Sequence, residues 1–162
     1  MSSLSDPKFV YRVSSRTVGL TLEFLRKMGT TGCEGVALWP GRVVGGICEI
    51  GSPLIPKQIT GPLFYRIPDE ETIRIVKYVS ERGMVIPIQV HSHPQEAFHS
   101  FADDERAFVQ HENAMSIVVP NFANFPISRF LDRALFFRLL AGNRWRELAP
   151  KEVVFILRIE AR

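Results

Sequence analysis

The stretch MVIPIQVHSHP (Met84 to Pro94) constrains this chain more than any other. From Met84 to His91 it is apolar and rich in β-branched side chains, the mark of a central strand buried in a sheet. Just before it, Asp69, Glu70 and Glu71 form an acidic first turn after Pro68. Ile73, Val76 and Val79 keep helical spacing, and Gly83 can close the helix. After it comes MSIVVP (Met115 to Pro120), a second buried strand. Strands of this kind separated by a helix require a layered α/β or α+β domain.

The remaining segments fit that plan. TVGLTLEFLRKM (Thr17 to Met28) alternates like a strand but also keeps helical spacing at Val18, Leu22 and Leu25. Its length, and Gly29 just past its end, favour a helix. GVALWPGRVVGGICEIG (Gly35 to Gly51) reads as a hairpin of two β-rich runs punctuated by Pro40 and Gly41. Ser52 to Pro68, with four prolines, reads as a loop holding one short strand near Phe64 to Arg66. A third helix is expected from about Phe101 to Glu112. ALFFRLL and the segment beyond Gly142 and Asn143 form a further hairpin, and the closing KEVVFILRI suits helix and strand equally.

A length of 162 residues fits one domain spanning 1–162, large enough to bury a core and hold one site. Twenty basic residues against 17 acidic leave a net charge of +3. No run of like charges appears, and the arginines of the last third (Arg129, Arg133, Arg138, Arg144 and Arg146) read as a solvated face, so nucleic acid is not an expected partner. The two cysteines, Cys33 and Cys48, have no C-x-x-C spacing and are expected as small buried hydrophobes in a reducing compartment. The first 15 residues show no apolar signal core, and no run of 18 apolar residues occurs, so a cytoplasmic protein without membrane contact is expected.

The end of the buried strand carries the chemistry. His91 and His93 stand two residues apart, so along a strand both imidazoles project to one side and Ser92 to the other. Pro94 then ends the strand. Ser100-Phe101-Ala102-Asp103 follows, and taken alone S-x-x-D is best explained as a capping box. Directly after an H-x-H strand end, Asp103 gains a second reading, as the third ligand beside His91 and His93. Three protein ligands with one open position describe a catalytic zinc site. Amide hydrolysis there also needs a carboxylate to carry a proton and a donor for the oxyanion. Glu34, at the edge of the strand that starts near Gly35, and the Ser100 hydroxyl are the candidates. Other H-x-H arrangements fit less well. The chain lacks the H-E-x-x-H of a zincin, shows Pro94-Gln95-Glu96 where some metallohydrolases place Asp-His, and has too many helical segments for a cupin barrel.

HSHP at His91 to Pro94, SFAD at Ser100 to Asp103 and EGVALWPG from Glu34 together resemble the JAMM, or MPN+, metalloproteases, whose signature is an upstream Glu, then H-S/T-H-P, then S-x-x-D. Five residues separate the last two parts, one fewer than in the family's commonest form, which implies a tighter loop over the metal. The resemblance implies an α/β (α+β) JAB/MPN fold, a cytidine-deaminase-like mixed β-sheet sandwiched by helices. It implies Zn2+ held by His91, His93 and Asp103, with Glu34 as general base and acid and Ser100 supporting the oxyanion. AFHSFADD, MSIVVPNFA and the late Arg-Trp segment look like a bacterial subset encoded beside ubiquitin-like proteins and their activating and conjugating enzymes, the Bil antiphage operons among them. The implied partners are the C-terminal tail of a ubiquitin-like protein and the target joined to it. A non-catalytic MPN scaffold, and a peptidase of a sulfur-carrier or small-molecule pathway, are the alternatives. His99 and Asp104 read as flanking residues, and Trp39 and Phe98 as packing groups.

Overall fold

A computed structural model describes residues 10–98 and 107–162. Strand β1 (Val10–Ser14) runs straight into helix α1 (Ser15–Gly29), followed by the hairpin β2 (Val36–Val44) and β3 (Ile47–Ile50). A small hairpin, β4 (Ile59–Gly61) and β5 (Phe64–Arg66), precedes helix α2 (Asp69–Glu81) and strand β6 (Val85–Ser92). Beyond the undescribed residues come β7 (Met115–Val119), single 3-10 turns at Asn121–Ala123 and Ile127–Arg129, and helix α3 (Phe130–Arg133). Strands β8 (Leu135–Leu140) and β9 (Arg144–Glu147), helix α4 (Pro150–Ile156) and strand β10 (Leu157–Glu160) complete the order. None of the described helices is long and apolar enough to cross a membrane.

Eight strands form one mixed sheet in the order β10-β1-β3-β2-β6-β7-β8-β9, while β4 and β5 pair separately. The apolar side chains divide between its two faces. Val18, Leu22 and Leu25 of α1, at helical spacing, pack with Trp39, Ile88, Val90, Ile117 and Val153 on one face. Ile75 and Val79 of α2 pack with Val36, Leu38 and Tyr65 on the other. The architecture is therefore a mixed sheet between helical layers, as the sequence implied.

Local chemistry explains the boundaries. The Ser14 side chain caps α1 by accepting the Thr17 N–H at 3.1 Å. Buried Trp39 donates its indole N–H to Thr21 Oγ1 at 2.8 Å, so its one polar atom is satisfied inside the core. The β2–β3 hairpin forms as expected but turns elsewhere. Gly45 and Gly46, both at positive φ, make the turn. Pro40 and Gly41 instead lie inside β2, where the register with β6 slips between Trp39 and Gly41. A bulge tolerates a proline because its missing N–H is not needed there. The prolines of 52–68 hid a second short strand, β4, beside the expected one.

Two other expectations change. Residues 107–112 of the expected third helix are not helical, and the rest of it lies outside the described residues. The Phe108 and Val109 N–H groups donate to the Gln89 side-chain oxygen at 2.8 and 3.3 Å, which removes them from any helical ladder. The ambiguous KEVVFILRI is both things: it begins as α4 and ends as β10, the latter paired in parallel with β1. Strand β1 itself, VYRVS, had no assignment from the sequence. Cys48 is buried and free, whereas Cys33 is only half-buried.

Candidate metal centre

β6 lies in the middle of the sheet, antiparallel to β2 on one side and parallel to β7 on the other. His91 stands opposite Val36 of β2 and beside Val118 of β7. One residue further, Ser92 N–H donates to the Gly35 carbonyl at 3.1 Å, and the Gly35 N–H donates back to Ser92 Oγ at 3.1 Å. Continuing that register by one more residue sets Glu34 opposite His93. Side chains alternate along a strand, so Glu34, His91 and His93 share the face that holds α2 and the β4–β5 hairpin.

The arrangement is shut off from water. His91 is 0% exposed, and His93 and Glu34 are each 3% exposed. The two imidazole rings lie 5.2 Å apart between centroids at an interplanar angle of 50°. Tyr65 of β5, buried in the same layer, packs its ring 5.2 Å from His91. Phe98 sets its edge against His93 at 4.5 Å. Phe98 thus packs as expected but remains 56% exposed, whereas Trp39 is core on the opposite face.

Backbone bonds hold both ends of this set. His93 N–H donates to the Val119 carbonyl at 2.8 Å, and the His93 carbonyl accepts the Phe122 N–H at 2.9 Å. Glu34 N–H donates to the Gly61 carbonyl at the end of β4, at 2.9 Å. The outer edge of β2 at Val36 is closed by a side chain acting as a strand. Gln58 Oε1 accepts the Val36 N–H at 2.8 Å, and Gln58 Nε2 donates to the Val36 carbonyl at 3.0 Å. Lys57, next in line, donates its N–H to Glu71 of α2 at 2.9 Å. Glu71 is itself held by Arg74 at 2.7 Å. Those bonds, Arg74 first and the Lys57 N–H after, push the Glu71 pKa down to about 2 against the opposing effect of burial.

Two buried imidazoles with ring centroids 5.2 Å apart, and a buried carboxylate just ahead of the neighbouring strand, make a donor set of definite chemistry. A buried carboxylate is costly unless it is paired, hydrogen-bonded or near a cation. Imidazole nitrogens with carboxylate oxygen suit a borderline divalent ion such as zinc. The chemistry of these residues therefore fits a metal, which His91 and His93 could ligate. Asp103 and Ser100, as well as His99 and Asp104, lie outside the described residues. Among the described residues no three His, Cys, Asp or Glu side chains form a set able to hold an ion by themselves.

Sequence reasoning passed over Gln89 and Tyr65. Gln89 is fully buried on the His91 face, donating to Ser116 Oγ at 3.2 Å and Tyr65 OH at 3.4 Å while accepting the two N–H groups of 108 and 109. Its signal was present. A polar residue in step with His91 and His93, inside an otherwise apolar strand, belongs to the same face as the histidines.

No protein-family model matches the sequence. The chain is 33% identical over 152 residues to the probable metalloprotease y4jG of Sinorhizobium fredii, an alignment spanning 91% of this chain and 92% of that protein. The solution structure of protein DSY2949 from Desulfitobacterium hafniense superposes with a TM-score of 0.67 at 15% identity, covering 94% of both chains, and so shares the fold.

Proposed function

This chain belongs to the metalloprotease family of y4jG, and from that premise we propose that it is a JAMM-type zinc isopeptidase. In this reading it hydrolyses the amide at the C-terminus of a bacterial ubiquitin-like protein, maturing a precursor or releasing the modifier from its target. The observation that carries the proposal is the pair of bonds between Gly35 and Ser92, which brings the residue after Glu34 against the residue between the two buried histidines. Chain order and residue types are those of the JAMM signature, which supports this reading.

His91 and His93, with Asp103, would hold the ion. Zinc, when bound, supplies a Lewis acid that makes water a competent nucleophile near neutral pH. The protein's own work is proton transfer and placement. Glu34 takes a proton on its carboxylate as water oxygen bonds to the amide carbon, then delivers it to the nitrogen as the C–N bond breaks, leaving a carboxylic acid and a free amine. Ser100 would donate its hydroxyl to the oxygen that gains charge on the way. Burial of His91, His93 and Glu34 would strengthen each of these contacts by keeping bulk water out.

A modifier's tail would reach this site in extended form, as strand-edge recognition requires. Ile59, Leu63 and Phe64 of the β4–β5 hairpin, whose Gly61 carbonyl accepts the Glu34 N–H, and Phe98, whose ring rests on His93, are exposed apolar groups that would contact such a tail. The operon setting suggested by the bacterial subset would place the enzyme in the cytoplasm, in antiphage defence, with activating and conjugating enzymes as neighbours and one domain as the working unit. A non-catalytic scaffold would not need a buried Glu34 in register with the histidines.

The test is cleavage of a ubiquitin-like protein fused through its C-terminus to a reporter. Wild type should cleave, while Glu34→Ala and chelator-treated protein should lose at least about 100-fold in rate, the lower range for a lost general base. Zinc binding without cleavage of any such fusion would sink the modifier assignment. Equal rates for wild type and Glu34→Ala would sink the mechanism.

A further inference from the structure

We infer that Arg26, on helix α1 and remote from the histidine face, is a positioning residue for the metal centre, acting through a left-handed turn that fixes the backbone of His93. The inference rests on the metal reading above and adds a residue to it.

After β7, residues Asn121, Phe122 and Ala123 take φ values of 52°, 49° and 61°. Three consecutive residues with side chains in this region are strained, since each brings its Cβ too close to the following carbonyl oxygen. The strained turn makes specific contacts with the strand end. Phe122 N–H donates to the His93 carbonyl at 2.9 Å and Asn121 N–H to the Gln95 carbonyl at 2.8 Å. His93 lies just past the last residue of β6, where the regular ladder no longer holds it. These amides, with the Val119 carbonyl, replace the ladder.

Something must keep the turn in its strained form, and α1 does so in two ways. The Arg26 guanidinium donates from Nε and Nη2 to the Ala123 carbonyl at 3.3 and 3.1 Å, and from Nη2 to the Phe125 carbonyl at 3.2 Å. A planar fork can bridge two carbonyls in this manner, and a single rotating ammonium does so with less fixed geometry. Gly29, one turn on, lets Phe122 approach so closely that an added Cβ would fall inside the Phe122 side chain. Helix and strand end thus grip the turn between them. Arg26 itself is exposed, so its removal leaves no hole in the core.

The experiment measures zinc affinity by chelator competition, the visible spectrum of the cobalt-substituted protein and thermal stability, for wild type, Arg26→Ala, Gly29→Ala and Val153→Ala. Val153 is a core residue of α4, packed at the far end of the sheet, and its variant serves as a control for general destabilisation. Arg26→Ala and Gly29→Ala should each weaken zinc binding about tenfold or more, the lower range for groups that orient a metal ligand. Both should also shift the cobalt absorption bands. Val153→Ala should lower Tm at least as far as Arg26→Ala while keeping zinc affinity within about twofold of wild type, since it orients no ligand. Wild-type affinity and spectrum in Arg26→Ala would overturn the inference, as would equal losses in Arg26→Ala and Val153→Ala. Wild-type protein that takes up no zinc would overturn the metal reading itself, a result distinct from either.

Discussion

Strand β6 has two faces of opposite character. Toward α1 it presents Ile88 and Val90, both fully buried in an apolar cluster with Leu22, Trp39 and Ile117. Toward α2 it presents Ile86 near its start, packed with Ile75 and Val79, and then the buried polar groups Gln89 and His91, with His93 following in step. Both faces lie on the same few residues, because side chains alternate along a strand. The apolar face can be satisfied by any well-packed neighbour. The polar face cannot, since each buried donor and acceptor requires a particular partner in a particular place. Stability and chemistry are therefore separated by parity within a single strand, and a change on one face should not read as a change on the other.

Ile88→Ala puts the sharpest strain on that separation. Removing a fully buried aliphatic side chain costs about 2–5 kcal/mol of stability. Urea unfolding should show the loss, while zinc affinity of the folded protein stays near wild type. A parallel collapse of zinc affinity under conditions where the variant is folded would mean that the two faces are coupled.

Gln89→Met tests the polar face with an effect of the same order. The substitution nearly conserves shape but leaves the Phe108 and Val109 N–H groups without their acceptor, and each buried group left unsatisfied costs about 1–3 kcal/mol. Hydrogen exchange at those two amides should speed up with the loss of stability. Unchanged protection at both would show that Gln89 is not what holds this segment to β6.

Parity also explains what could be read from the sequence. The buried strand that ends in His91 and Ser92 was legible from its apolar run, and so was the strand that begins two residues after Glu34. The helix α1 was legible from spacing that matches its buried face at Val18, Leu22 and Leu25, whereas in α2 the spacing found the helix but not its face: Val79 is buried, Ile73 and Val76 are exposed, and Ile75 packs in their place. What escaped was set by tertiary partners. Whether Phe108 and Val109 continue a helix is decided by Gln89, a strand residue nearly twenty positions earlier. The hairpin turn moved from Pro40-Gly41 to Gly45-Gly46 because the slip against β6 accommodates the proline, and no local pattern reveals that slip. Nothing in the sequence marks Arg26, and only the fold brings Ala123 and Phe125 to it.

The mildest test concerns the wall around the polar face, and it is read by pH. Glu71 of α2 accepts from Arg74 and from the Lys57 N–H, which sits beside the Gln58 side chain that closes the edge of β2. Its pKa in the folded protein is lowered from 4.5 to about 2, so the unfolded chain binds this proton more readily than the folded one. The contribution of Glu71 to stability is thus complete above the unfolded value, declines as pH falls from about 4.5 toward 2, and is gone below the folded value. Glu71→Gln has no charge to lose. Its unfolding free energy should consequently fall less steeply than that of wild type across this window, and lie below it near neutral pH. If the two curves keep a constant separation from neutral pH down to about 2, Glu71 is not the group whose ionisation ties Lys57 and Gln58 to α2. The wall of the site would then be held by the Gln58 carboxamide and the Leu38–Leu54 bridge, whose bonds carry no such pH dependence in this range.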